Sequence, residues 1–147
     1  MLHTPTVDES TLGLLRSLQE KAYLNGFFLV GGTALALYYG HRKSIDLDLF
    51  TNQAFDAAWL LEQIQQDFEI QLHFTSTNTI KGSINNVKVD FIAHRYPYLK
   101  EPCIIDEYKI LSEKDIIAMK LNAISVSGQR SKDFIDKFLA STKIFLI

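Results

Sequence analysis

The chain has 147 residues, enough for one domain with a sizeable core. Apolar residues make up 47% and charged residues 22%, an ordinary soluble globular balance, and the net charge of −2 gives no global nucleic-acid signal. One cysteine, Cys103, excludes an intrachain disulfide and a cysteine-based zinc cluster.

The first ten residues lack the basic start and apolar run of a secretory leader. The most apolar segment, Phe27–Tyr39, has 13 residues, against the roughly 20 that a bilayer span needs. The expectation is a cytoplasmic protein with no membrane partner. Charge is uneven along the chain. Residues 1–108 hold eight basic against thirteen acidic side chains, while residues 109–147 hold seven against four. A basic C-terminal third beside an acidic site suits a polyanion, and it equally suits a solvated helix face.

In chain order, Asp8–Leu24 reads as a helix, with Leu12, Leu15, Leu18 and Ala22 three or four apart. Asn25-Gly26 stops it. Phe27–Val30 is wholly apolar, as in a strand buried on both faces. Gly31-Gly32 leads into a short helix, Thr33–Tyr39, closed by Gly40. His41-Arg42-Lys43 form a basic loop. Ser44–Phe50 then alternates as a strand, with Ile45, Leu47 and Leu49 on one face and Asp46 and Asp48 on the other.

Ala54–Phe68 is an amphipathic helix whose expected buried side is Phe55, Ala58, Trp59, Leu61 and Ile64. Glu69–Phe74 is a strand. Thr79–Ile84 and Val87–Ala93 flank Asn85-Asn86, a two-residue hairpin turn, because Asn tolerates positive φ. Cys103–Ile105 is one more short strand. Ser112 and Asp115 make a capping-box-like start to a helix reaching about Val126. A last helix is expected from Lys132 to Ala140. Interleaved strands and helices with one hairpin imply an α/β (α+β) domain with a mixed sheet. No linker or repeat divides residues 1–147.

The chemistry-bearing residues are few. Asp46 and Asp48 sit two apart on one strand, with Cα atoms roughly 6.6 Å apart. Both can reach one hard cation such as Mg²⁺ or Mn²⁺; a solvated strand face reads the same way. Asp90 lies mid-strand opposite the apolar Val87/Val89/Phe91 face. If its strand neighbours that of Asp48, three carboxylates converge, the minimum for a metal pair about 4 Å apart. Gly31 and Gly32 permit close backbone approach to phosphate at a helix N-terminus, and Thr33 adds a hydroxyl. Arg42 and Lys43 suit the neutralisation of a triphosphate, and equally a solvated loop. Lys120 falls between apolar groups of its helix and needs an anionic partner, phosphate or Asp133, or an extended path to water.

Together these residues resemble a known family. Gly31-Gly32, thirteen residues, then Asp46-Leu-Asp48, with Asp90 as a third carboxylate, is similar to the polymerase-β-type nucleotidyltransferase superfamily. Gly-Gly-Thr-Ala-Leu-Ala, His-Arg-Lys-Ser-Ile-Asp-Leu-Asp-Leu-Phe, Met119-Lys120-Leu121 and Lys132-Asp133-Phe134-Ile135-Asp136 resemble the AbiEii-type nucleotidyltransferase toxins of type IV toxin–antitoxin systems. The resemblance implies a minimal nucleotidyltransferase fold, Mg²⁺ (or Mn²⁺) and an NTP substrate. It implies an acceptor hydroxyl, on tRNA or another RNA in some relatives, and a winged-helix antitoxin encoded nearby. By position Asp46, Asp48 and Asp90 match metal carboxylates, Lys120 a nucleotide-contacting lysine, and Asp133 the late acid. Arg42 and Ser44 match the lead-in to the Asp strand. The family's longer helical C-terminal region has no counterpart after Ile147. A catalytically inactive nucleotide-binding or antitoxin-like module is the alternative reading.

Overall fold

A computed structural model describes residues 2–40 and 45–125. The expected basic loop with Arg42 and Ser44, and the last helix with Asp133, lie outside the described residues. The described chain folds as helices α1 (Glu9–Gln19), α2 (Gly31–Tyr39), α3 (Ala57–Asp67) and α4 (Glu113–Ser125) around one sheet. Its strands are β1 (Phe28–Val30), β2 (Leu47–Thr51), β3 (Ile70–Ser76), β4 (Thr79–Ile84), β5 (Val87–Ala93), β6 (Cys103–Ile105) and β7 (Tyr108–Ile110). They run in the order β3-β4-β5-β2-β1-β7-β6. The pairs β2/β5 and β1/β7 are parallel and the others antiparallel, so the sheet is mixed as expected.

The core is aliphatic and sits against one sheet face. Leu29, Leu47, Leu49, Val89, Phe91, Ile80 and Ile84 are all buried, from four adjacent strands. Phe27 joins Phe91 and Phe55 by edge-to-face ring contacts at 6.2 and 5.2 Å. Helix α3 packs on β3 and β4, α1 on β7, and α2 on β1, β2 and α4.

Several expectations are corrected. The first helix stops at Gln19, and Ala22–Leu24 is a separate 3-10 turn. Lys21 between them has extended backbone, ψ 130°, which ends the α-helical run. The Gln19 amide is clasped to β7, donating to Lys109 O at 2.8 Å and accepting from Lys109 N at 3.0 Å. The expected strand Ser44–Phe50 begins only at Leu47. β1 pairs Phe28–Val30 with Phe50–Asp48, and the ladder to β5 begins at Leu47 opposite Val89, so among the described residues Ile45 has no ladder partner. Ile45 is 58% exposed and not a core residue. Helix α3 starts later than expected, because Asp56 caps it by accepting from Trp59 N at 3.1 Å. Its buried stripe is Leu60 and Ile64, while Trp59 is 51% exposed.

Asn85 and Asn86 take φ of 53° and 63°, the hairpin turn expected of them. A second tight turn was not anticipated. Asp106 and Glu107, at φ 51° and 71°, reverse the chain between β6 and β7.

Candidate active site

Two strands and two helix segments build the site. β1 is short because Gly31 takes φ +75° and turns the chain directly into α2. A Cβ at Gly31 would collide with the Asp48 carboxylate, so that carboxylate occupies the space a side chain would need. Val30, at the N-cap of α2, makes no side-chain capping bond. As at any helix start, the first amides have no intrahelical acceptor, and Gly31 among them lies against Asp48. Thr33 is buried and its hydroxyl donates to the carbonyl of Asp46, fastening α2 to the residue just before β2.

β2 and β5 are adjacent and parallel, with Asp48 in register with Asp90. Val30, Asp48, Asp90 and Lys81 form one row across β1, β2, β5 and β4. Period two thus brings Asp48 and Asp90 together on one face, as the sequence suggested. Asp46 lies before the ladder and is exposed. Among the described residues, no group of three or more His, Cys, Asp or Glu side chains is arranged to hold a metal ion. The expected convergence of three carboxylates is not preformed. Asp46 has no strand partner to fix it beside the other two.

The electrostatics set Asp48 apart. Its pKa is raised to about 6, first by burial, then by Asp90 and Asp46, with Lys88 and Lys120 pulling it down. One Asp90 oxygen, Oδ1, is buried with no hydrogen-bond partner among the described residues. A repelled carboxylate and an unsatisfied carboxylate oxygen, side by side, form a donor set that fits a hard divalent cation. Asp48 and Asp90 are the residues that would hold one.

Helix α4 closes the row. Its start is fixed by Ser112, whose Oγ accepts from Asp115 N at 3.2 Å and donates to Asp115 Oδ2 at 2.6 Å. One turn and a little further on, Met119 and Lys120 overlie the site. They line a cleft of about 180 Å³ with Gly31, Asp48 and Phe50. Gly31, Asp48 and Lys120 are therefore in one place, as the sequence expected. Phe50 and Met119 were not anticipated. Phe50 could have been found, since it lies two residues after Asp48 on the same face.

A seven-stranded mixed sheet with this helix entry is the nucleotidyltransferase fold. A candidate nucleotidyltransferase from Thermotoga maritima superposes with a TM-score of 0.59 over 91% of this chain and 95% of its own, at 19% identity. The Megavirus polyadenylate synthase gives 0.55 over 90% of this chain and 31% of its own, at 13% identity. Residues 13–143 match the family model described as nucleotidyl transferase AbiEii toxin, type IV TA system, and the chain belongs to that family. An uncharacterised protein of Aquifex aeolicus (strain VF5) is 36% identical over 123 residues. That match takes in 81% of this chain and spans 59% of the Aquifex protein's length. No helix among the described residues is long and apolar enough to cross a membrane.

Proposed function

We propose that this chain transfers a nucleoside monophosphate from an NTP to an acceptor hydroxyl, as the toxin of a toxin–antitoxin pair. The observation that carries the reading is Asp48, which lines one cleft with Gly31 and Lys120 and lies in register with Asp90 on the neighbouring strand. Bound Mg²⁺ or Mn²⁺ would supply charge neutralisation at the phosphates and at the entering oxygen. The chain's own residues do the rest. The amides opening α2 and the Lys120 ammonium bind the triphosphate, and Gly31 lets it approach the backbone. The acceptor hydroxyl gives up its proton to Asp90, or to solvent where the cation would lower its pKa. The acceptor oxygen then bonds to the α-phosphorus as the α–β phosphoanhydride breaks and pyrophosphate leaves. Positioning and fixed charge supply most of the rate.

Asp46, Arg42, Ser44, Gly32 and Asp133 complete the proposed set. Asp46 would join Asp48 and Asp90 as a third carboxylate holding the cation. RNA, tRNA among it, is the proposed acceptor, and a winged-helix protein encoded nearby the proposed antitoxin. The test is transfer of label from α-labelled NTP to RNA with Mg²⁺, in wild type and Asp48→Asn. Labelled RNA in wild type alone is the expected result. NTP binding with no labelled acceptor leaves the inactive nucleotide-binding module instead.

A further inference from the structure

The opening turn of α2 meets the acid strand at two points. A Cβ at Gly31 would collide with the Asp48 carboxylate. Two residues on, the Thr33 hydroxyl donates to the backbone carbonyl of Asp46. Gly31 and Thr33 are thus matched to Asp48 and Asp46, the two acids that lie two apart in the sequence.

Asp46 is the acid that the sheet does not hold. The ladder between β2 and β5 begins at Leu47 opposite Val89, and that between β1 and β2 reaches back no further than Asp48. Asp48 and Asp90 are paired across strands, whereas Asp46 is exposed and has no ladder partner among the described residues. Its charge still reaches the pair: burial first, then Asp90, then Asp46 raise the pKa of Asp48. Asp46 therefore stands near the two paired acids without cross-strand pairing to place it.

Thr33 supplies the placement. It is 1% exposed, and a buried hydroxyl left without a partner is destabilising. A threonine hydroxyl has a single proton to donate. Here that proton goes to a protein carbonyl and not toward a phosphate at the start of α2.

We propose that Thr33 is the positioning residue for Asp46: its hydroxyl, in place of a strand partner, holds the third carboxylate where it can join Asp48 and Asp90 on a divalent cation. The inference rests on the cation-bridged nucleotide reading of the Asp48 cleft. It places Thr33 outside the cation's own ligands, where loss of a supporting bond lowers metal affinity by about 10–100-fold. It also ties the third carboxylate to the helix turn that receives the triphosphate.

Titration of Mn²⁺ into the full chain, read from the electron paramagnetic resonance of the free ion, tests this without catalysis. Thr33→Val keeps the shape, removes the donor, and is expected to weaken Mn²⁺ binding about tenfold or more. Thr33→Ser retains the hydroxyl and should stay within about threefold of wild type. In an Asp46→Ala background Thr33→Val should cause no further loss, because the group it positions is gone. At saturating Mn²⁺ the affinity for inorganic tripolyphosphate should be equal in wild type and Thr33→Val, which also reports that the variant is folded; Thr33→Ala takes its place if the valine does not fit. Unchanged Mn²⁺ affinity in the variant overturns the proposal. So does an equal loss in the Asp46→Ala background, or a loss confined to tripolyphosphate, which would make Thr33 a phosphate ligand. If wild type takes up no Mn²⁺, with or without tripolyphosphate, the cation reading of Asp48 and Asp90 fails first and the role of Thr33 falls with it.

Discussion

The two faces of the central strands differ as sharply as any two regions of this molecule. On one face β2 and β5 present Leu47, Leu49, Val89 and Phe91, none more than 1% exposed. On the other, the same strands present Asp48 and Asp90 in register, with one unsatisfied oxygen and one carboxylate pushed up to about 6. The first face stabilises the fold by burying apolar area. The second spends part of that stability to hold two acids together without a cation. Alternation along a single strand thus separates the residues that fold the chain from those that would do its chemistry.

Substitutions on each face should separate accordingly. The largest expected effect is on the apolar face, where Phe91→Ala loses about 3–5 kcal/mol of stability in denaturant unfolding. A loss under about 1 kcal/mol would break the comparison. On the acidic face, Asp90→Asn should cut nucleotide transfer by more than about 100-fold, since outer-shell removals alone reach that size. Its melting temperature should not fall. Gly31→Ala should weaken both properties. It places a Cβ at φ +75° and against Asp48, at about 1–2 kcal/mol for the backbone conformation alone, and it displaces the carboxylate.

A smaller effect carries a sign. Because the Asp48 pKa is raised on folding, the metal-free native state holds that proton more tightly than the unfolded chain does. Asp48 therefore lowers stability as pH rises from about 4 through about 6, and the deficit is complete above that window. Asp48→Asn should stabilise the metal-free protein by about 1–2 kcal/mol at pH 7, and by much less at pH 4. Chemical denaturation at the two pH values measures it, and equal gains would show that repulsion is not the cause. Trp59→Ala marks the lower limit: on the exposed side of α3 it should change stability by no more than about 0.5 kcal/mol.

Much of this was legible in the sequence, for identifiable reasons. The hairpin at Asn85-Asn86 was readable because Asn is at home at positive φ, whereas Asp106-Glu107 was not, because Glu rarely adopts it. Asp48 and Asp90 could be assigned to one face by period two. Their adjacency could not, since it depends on β5 inserting beside β2 and not beside β1. The start of the Asp strand was misplaced for the same kind of reason. Alternation extends the strand back to Ser44, but only pairing makes a strand, and β1 ends where Gly31 begins α2. A second cavity, beside the cleft, had no local signal. Its walls come from the segment His94–Leu99 and from α4, brought together by the Asp115 carboxylate.

The most direct test of the central claim is titration of Mg²⁺ and a non-hydrolysable NTP, together and singly, into wild type and Asp48→Asn. Tight nucleotide binding that requires Mg²⁺ and is lost in the variant is the predicted result. Binding of equal strength in both proteins, or binding indifferent to Mg²⁺, would contradict a cation-bridged nucleotide site at Asp48 and Asp90.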